Sequence, residues 1–153
     1  MAERDKPTPK DIDNSPDEMM DASLQAAQFE RVRTAQQTEK AEDYVEMIDD
    51  LINAYGEARV VELARRFGVS HATVNKIVKR LARDGLVHTR PYRSIFLTQE
   101  GHRLADASRK RHQIVLNFLR AIGISERAAE LDAEGIEHYV SDETLAAFER
   151  IAE

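Results

Sequence analysis

The amino-acid sequence predicts a mainly α protein, a winged helix-turn-helix followed by an all-helical second domain. Three observations carry that reading. From residue 39 onward apolar residues recur at spacings of three and four, the period of one helix face. Two short helical patterns meet at a tight turn, Gly68-Val69-Ser70. A stretch rich in β-branched and aromatic residues, 86–98, has the length of a single hairpin.

Residues 1–16 hold three of the four prolines and several acidic residues, and read as a disordered tail. Ser15-Pro16-Asp17-Glu18 then has the form of a helix start, with Ser as N-cap, Pro at the first position and Glu three residues on. Met20, Leu24, Ala27 and Val32 give only a patchy apolar stripe, so the helix expected there is marginal, and Thr34–Lys40 reads as helix or linker. Residues 1–38 are therefore expected to form a disordered or partly helical arm. A firm helix follows from Glu39, with Tyr44, Met47, Ile48, Leu51, Ile52 and Tyr55 as its stripe and Gly56 as its stop.

Val60 to Phe67 forms a second helix, and Ser70 caps a third whose inner face is Val74, Ile77, Val78 and Leu81, ending near Asp84-Gly85. Residues 86–90 and 95–98 flank a turn, Pro91-Tyr92-Arg93-Ser94, as the wing. Thr98 opens a long helix to about Ile122, and Gly123-Ile124-Ser125 breaks it. Ser125 caps a helix through about Tyr139, and Ser141 starts the last, striped by Leu145, Phe148 and Ile151. The expected division is an arm, 1–38, a winged helix-turn-helix domain, 39–99, and a helical domain, 100–153. So small a second domain is expected to complete its core by dimerising.

An apolar share of 42% suits a globular protein. No run approaches eighteen consecutive apolar residues, and the N-terminus lacks the apolar core of a signal peptide. The absence of cysteine excludes a disulfide frame and a thiolate metal site. Together these favour the cytoplasm and no membrane partner. The net charge of −6 conceals an asymmetry: residues 57–111 carry 13 Lys/Arg against 5 Asp/Glu, a net of +8 between acidic ends. A basic middle points to a polyanion.

On the third helix His71, Thr73 and Asn75 are candidates for base readout, behind the capping Ser70 at its N-terminus. Lys76, Lys79 and Arg80 are candidates for phosphate contacts, and Arg90, Tyr92 and Arg93 for the flanking backbone or minor groove. A helix-turn-helix also occurs as a protein-binding module with a solvated basic face. Between Val60 and Arg93, however, eight Lys/Arg face only Glu62 and Asp84, and motif, charge and wing together favour double-stranded DNA.

A second constellation lies outside the basic middle. Glu134, Glu137 and His138 stand at i, i+3 and i+4, on one face of a helix. Asp43 and Glu46 stand at i, i+3 beside the buried stripe of the first firm helix, and His112 opens a run, Gln113-Ile114-Val115, that must pack. Each piece alone also reads as a solvated acidic face or a hydrogen-bonded histidine. Together they are six candidate ligands, four oxygen and two nitrogen, without thiolate, which suits Mn(II) or Fe(II) better than structural zinc. Four carboxylates would balance two divalent cations per subunit.

These residues carry a resemblance. Glu42-Asp43-Tyr44-Val45-Glu46, Arg111-His112-Gln113, Glu134-Gly135-Ile136-Glu137-His138, the helix-turn-helix Val60–Arg83 and the wing Tyr92–Thr98 occur in an order and spacing similar to those of the diphtheria-toxin-repressor superfamily of metal-dependent repressors. Within it the chain most resembles the manganese transport regulator branch, over roughly residues 40–150. The resemblance implies that Asp43, Glu46, His112, Glu134, Glu137 and His138 are the metal ligands. It also implies a homodimeric, Mn(II)-responsive repressor of manganese transport genes, with an iron-responsive repressor as the alternative. Asp43, where iron-responsive relatives carry Met, looks like the manganese version. Tyr139 departs from relatives with a second His there, a position outside the ligand set.

The expected mechanism follows from where the ligands sit. Asp43 and Glu46 belong to the DNA-binding domain, and Glu134, Glu137 and His138 to the helical domain, so bound metal would fix one domain against the other and select a DNA-competent dimer. Two other classes compete. Carboxylate and histidine clusters also build two-metal hydrolases and di-iron oxidases, but the sequence supplies no orphan general base. A winged-helix sensor of a small molecule would leave the acidic cluster as surface.

Overall fold

The computed structural model describes residues 19–90 and 94–153. Within them the chain runs α1 (Ala22–Tyr55), α2 (Val60–Phe67), α3 (His71–Arg83), β1 (Val87–His88), β2 (Phe96–Leu97), α4 (Gln99–Ala121), α5 (Glu126–Ile136) and α6 (Asp142–Ala152). The mainly helical architecture and the hairpin agree with the sequence reading. No described helix is long and apolar enough to cross a membrane.

The first helix differs from expectation in its start. Ser15–Glu18 and the tail before them lie outside the described residues; Met19 and Met20 are not helical, and the Asp21 carboxylate caps α1 by accepting from Ser23 N at 3.0 Å. From there α1 continues through Thr34–Lys40 and across the 38/39 boundary as one 34-residue helix. Its first half is exposed, whereas Tyr44, Val45, Ile48 and Leu51 are buried. The apolar stripe sets which half packs.

That half of α1 forms the first core with Leu63 and Ala64 of α2, Val74, Val78 and Leu81 of α3, Val87, Ile95 and Leu97 of the wing, and Ala105 of α4. Tyr44 stacks on Phe67, ring centroids 4.3 Å apart. Between α2 and α3 the chain reverses at Gly68, whose φ of +66° is a left-handed conformation that disfavours any side chain. Val87 pairs with Leu97 and His88 with Phe96 in antiparallel register. One unforeseen bridge, Ala58 with Ile95, adds the α1–α2 connection to the wing root.

The long helix α4 is fastened to the wing at its first turn. Thr98 caps it, accepting from Gly101 N at 3.0 Å and donating to Gly85 O at 2.6 Å. A Cβ on Gly101 would overlap the carbonyl of Leu86, so only glycine lets α4 approach this closely. Further along, Val115, Leu116 and Leu119 form a second core with Ala129 and Ala133, flanked by Phe118 stacked on Phe148 at 3.9 Å. α4 thus takes part in both cores.

The fifth helix ends three residues earlier than its sequence suggested, at Ile136 rather than Tyr139. Past Ile136 the chain tightens into a turn, Tyr139 N donating to Ile136 O at 3.1 Å, and Arg111 on α4 braces that turn by donating to Glu137 O at 3.0 Å and to Val140 O at 2.8 Å. The guanidinium thereby supplies donors to carbonyls just beyond the helix end. Glu137 and His138 consequently lie in a turn.

Candidate metal centre and nucleic-acid interface

Spacing on α1 brings Glu39, Glu42, Asp43 and Glu46 to one face at i, i+3, i+4 and i+7. Across from that face are α4, which contributes His112 and Ser108, and the end of α5 with its following turn. Two compact groups result, each offering ligand atoms within 4.8 Å of one another: His112, Glu134 and Glu137, and Glu39, Asp43 and His138.

In the first group His112 Nδ1 stands 2.6 Å from Glu137 Oε2 and 3.7 Å from Glu134 Oε1. In the second, His138 Nε2 lies 3.4 Å from Asp43 Oδ1. Glu137 joins the two, because its Oε1 is 3.3 Å from His138 Nε2 while its other oxygen faces His112. The early end of α5 makes this possible: Glu134 and Glu137 face α4, and the turn sends His138 back to α1. The expected single face at 134, 137 and 138 is thus divided between two groups.

Burial and charge are in tension here. Glu137 is only 3% exposed, and burial pushes its carboxyl up to about 7 against the pull of His112 and His138. For His138 burial works against the charged form, but hydrogen bonds to Asp43 and Glu42 outweigh it and push the imidazole up to about 10. A buried imidazolium among carboxylates marks a place where positive charge is wanted. Oxygen and imidazole donors without thiolate fit Mn(II) or Fe(II) by their chemistry.

Five of the six sequence candidates, Asp43, His112, Glu134, Glu137 and His138, fall in these groups. Glu46 belongs to neither: Ser108 donates its hydroxyl to Glu46 Oε1, and burial raises the Glu46 carboxyl above its usual range. Two participants escaped the sequence reading. Glu39 enters the second group and accepts from the Tyr139 hydroxyl at 2.7 Å, and Glu42 Oε2 is 2.6 Å from His138 Nδ1. The signal available for both was their helical spacing from Asp43 and Glu46.

At the first core, α3 exposes His71, Thr73, Asn75, Lys76, Lys79 and Arg80, and its capping Ser70 is exposed as well. Ser70 Oγ accepts from Thr73 N at 3.1 Å and lies 2.9 Å from Thr73 Oγ1, so that hydroxyl is oriented by the cap. Arg80 leans toward α1, donating to Gln37 at 3.2 Å. Arg65 and Arg66 are both paired with Glu62. Arg90 is exposed at the wing, and Tyr92 and Arg93 lie outside the described residues.

Comparison with known proteins bears on both surfaces. Residues 36–95 match the iron dependent repressor N-terminal DNA binding domain, and residues 98–153 match the iron dependent repressor metal binding and dimerisation domain. The chain is 56% identical over 120 residues to the transcriptional regulator MntR of Escherichia coli O157:H7, covering 78% of this chain and 77% of that protein. It is 38% identical over 104 residues to the HTH-type transcriptional regulator MntR of Geobacillus kaustophilus, covering 68% and 74%. Among solved structures, a manganese-dependent transcriptional repressor in complex with manganese superposes with a TM-score of 0.65 at 31% identity over 73% of this chain. The match spans about half, 52%, of that longer solved chain.

Proposed function

Because this chain belongs to the iron-dependent repressor family, in its manganese transport regulator branch, we propose that it is a Mn(II)-responsive repressor whose homodimer binds an operator in double-stranded DNA. The observation that carries this reading is the meeting of Asp43, on the helix that anchors the DNA-binding core, with His138, at the end of a helix in the second core. The iron-responsive alternative is not favoured, since the similar regulators are named MntR and the similar solved repressor is manganese-dependent by name.

The residues that would hold the ions, two per subunit, are His112, Glu134 and Glu137 for one and Glu39, Asp43 and His138 for the other, with Glu137 shared. Glu46, whose carboxyl feels the charges of Asp43 and Glu134, would add a ligand if Ser108 released it. Bound Mn(II) supplies the positive charge that these carboxylates otherwise draw from protonated imidazole. Glu39 and Asp43 hold α1, and with it the first core, while Glu134, Glu137 and His138 hold the second. Neutralising their mutual repulsion would favour the arrangement in which α1 and the end of α5 stay together, which is a population shift. In a twofold dimer that arrangement would set two α3 helices about one turn of DNA apart, ~34 Å. His71, Thr73 and Asn75 would read bases, and Lys76, Lys79, Arg80, Arg90, Tyr92 and Arg93 would contact the backbone.

A gel shift with an operator fragment tests the proposal. Binding should appear on addition of Mn(II) and vanish with chelator, and equal affinity in both conditions would sink it.

A further inference from the structure

Glu42 is a buried carboxylate that belongs to neither ligand group. It lies next to Asp43 on α1, and the two adjacent residues reach opposite nitrogens of one imidazole. Glu42 Oε2 is 2.6 Å from His138 Nδ1, while Asp43 Oδ1 is 3.4 Å from Nε2, with Glu137 Oε1 at 3.3 Å from the same nitrogen. The His138 side chain is 1% exposed, so no solvent competes for either edge of the ring.

An imidazole has one lone pair to give to a cation, and the hydrogen bond made by the other nitrogen decides which atom gives it. We propose that Glu42 is a positioning residue of this centre. Its carboxylate accepts the Nδ1 proton of His138 and leaves Nε2, between Asp43 and Glu137, as the atom that ligates the metal. This inference rests on the metal-responsive reading above. It assigns to Glu42 a role through His138 and no bond to the ion. A carboxylate suits the task because its acceptor strength holds the ring orientation and raises the basicity of the ligating nitrogen.

The test is titration of the full chain with Mn(II), following the loss of the free-ion EPR signal, for wild type, Glu42→Gln, Glu42→Ala and Asp43→Ala. Gln keeps an acceptor oxygen for Nδ1–H and Ala keeps none. Glu42→Ala should bind Mn(II) about 10–100-fold more weakly, the usual cost of losing such a partner, and Glu42→Gln should recover most of that loss. The ¹⁵N spectrum of Zn(II)-loaded wild type should show Nδ1 of His138 protonated and Nε2 shifted by the metal, a readout independent of how the variants fold. Wild type that takes up no Mn(II) would overturn the functional reading itself. Tight wild-type binding with an unaffected Glu42→Ala variant would overturn only the role of Glu42. So would a Glu42→Gln variant as weak as Asp43→Ala, which would make Glu42 a ligand, or metal found on Nδ1.

Discussion

Arg109 Nη1 lies 2.6 Å from Asp49 Oδ2, a tie from α4 to α1 that requires no metal. Its other nitrogen, Nη2, is 2.7 Å from Asp50 Oδ1, and His102 Nδ1 approaches Asp49 at 3.5 Å. Asp49 is three residues beyond Glu46 on α1, so the acidic face of this helix is fastened by a cation of the protein at one end and is open to an external cation at the other.

Arg109→Ala should destabilise the fold, because Asp49 is 8% exposed and would keep only a distant histidine. The cost of stranding a buried acceptor is about 1–3 kcal/mol. Asp50→Ala should cost less than about 1 kcal/mol, since the Asp50 carboxylate is 63% exposed. Thermal unfolding of the metal-free protein measures both, and equal effects would show that Asp49 is not the partner that matters.

The legible and illegible parts of this molecule divide by sequence separation. The helix-turn-helix could be read because its determinants are local: Gly68 at the reversal, the Ser70 cap and the apolar period of α3. The acidic and histidine motifs and their joining across the two domains were visible too, but which carboxylate reaches which nitrogen was not. His138 could have faced any of four carboxylates on α1, and its selection of Glu42 and Asp43 is decided some 96 residues away. Glu46 fits the spacing of a ligand as well as Asp43 does, yet Ser108, an unremarked residue of α4, engages it. The turn after α5 was not legible either, because Arg111, which braces its carbonyls, comes from α4 some 26 residues away.

Stability of the metal-free protein should fall as pH rises. His138 is raised to about 10, so its contribution is complete below the ordinary histidine value of about 6.5 and is lost as pH climbs through 10. Glu137, also raised, to about 7, is a carboxyl favoured in its protonated form, so its contribution is present at acid pH and is lost between about 4.5 and 7. Chemical denaturation at pH 5, 7 and 9 with chelator present should give declining midpoints. Glu137→Gln, which cannot ionise, should flatten the part of the slope between pH 5 and 7.

On α3 the base-reading and phosphate candidates should separate in their salt and sequence dependence. Asn75→Ala should cost about 1–3 kcal/mol on the operator and relax preference at one base pair. Lys79→Ala should weaken operator and random DNA alike and reduce the slope of log K against log salt by about 0.9. Fluorescence anisotropy at several salt concentrations distinguishes them, and a variant Lys79→Ala with unchanged slope would remove Lys79 from the interface.

Asp43→Met is the sharpest change at the centre itself. It deletes one of the two carboxylates beside His138 Nε2, Asp43 at 3.4 Å, leaving Glu137 at 3.3 Å and Glu42 on the other nitrogen. Asp43 is half-exposed, its side chain 40% accessible, so a Met there has room and the fold should persist, as circular dichroism would record. The group of Glu39, Asp43 and His138 loses one of its two hard oxygen donors, whereas the group of His112, Glu134 and Glu137 keeps all three ligands. A thioether is a softer donor than a carboxylate, so affinity for Mn(II) should fall at one of two sites and discrimination against softer divalent ions should fall with it. Calorimetric titration with Mn(II) and then Co(II) reads both quantities. A variant that retained two equally strong Mn(II) sites would remove Asp43 from the centre.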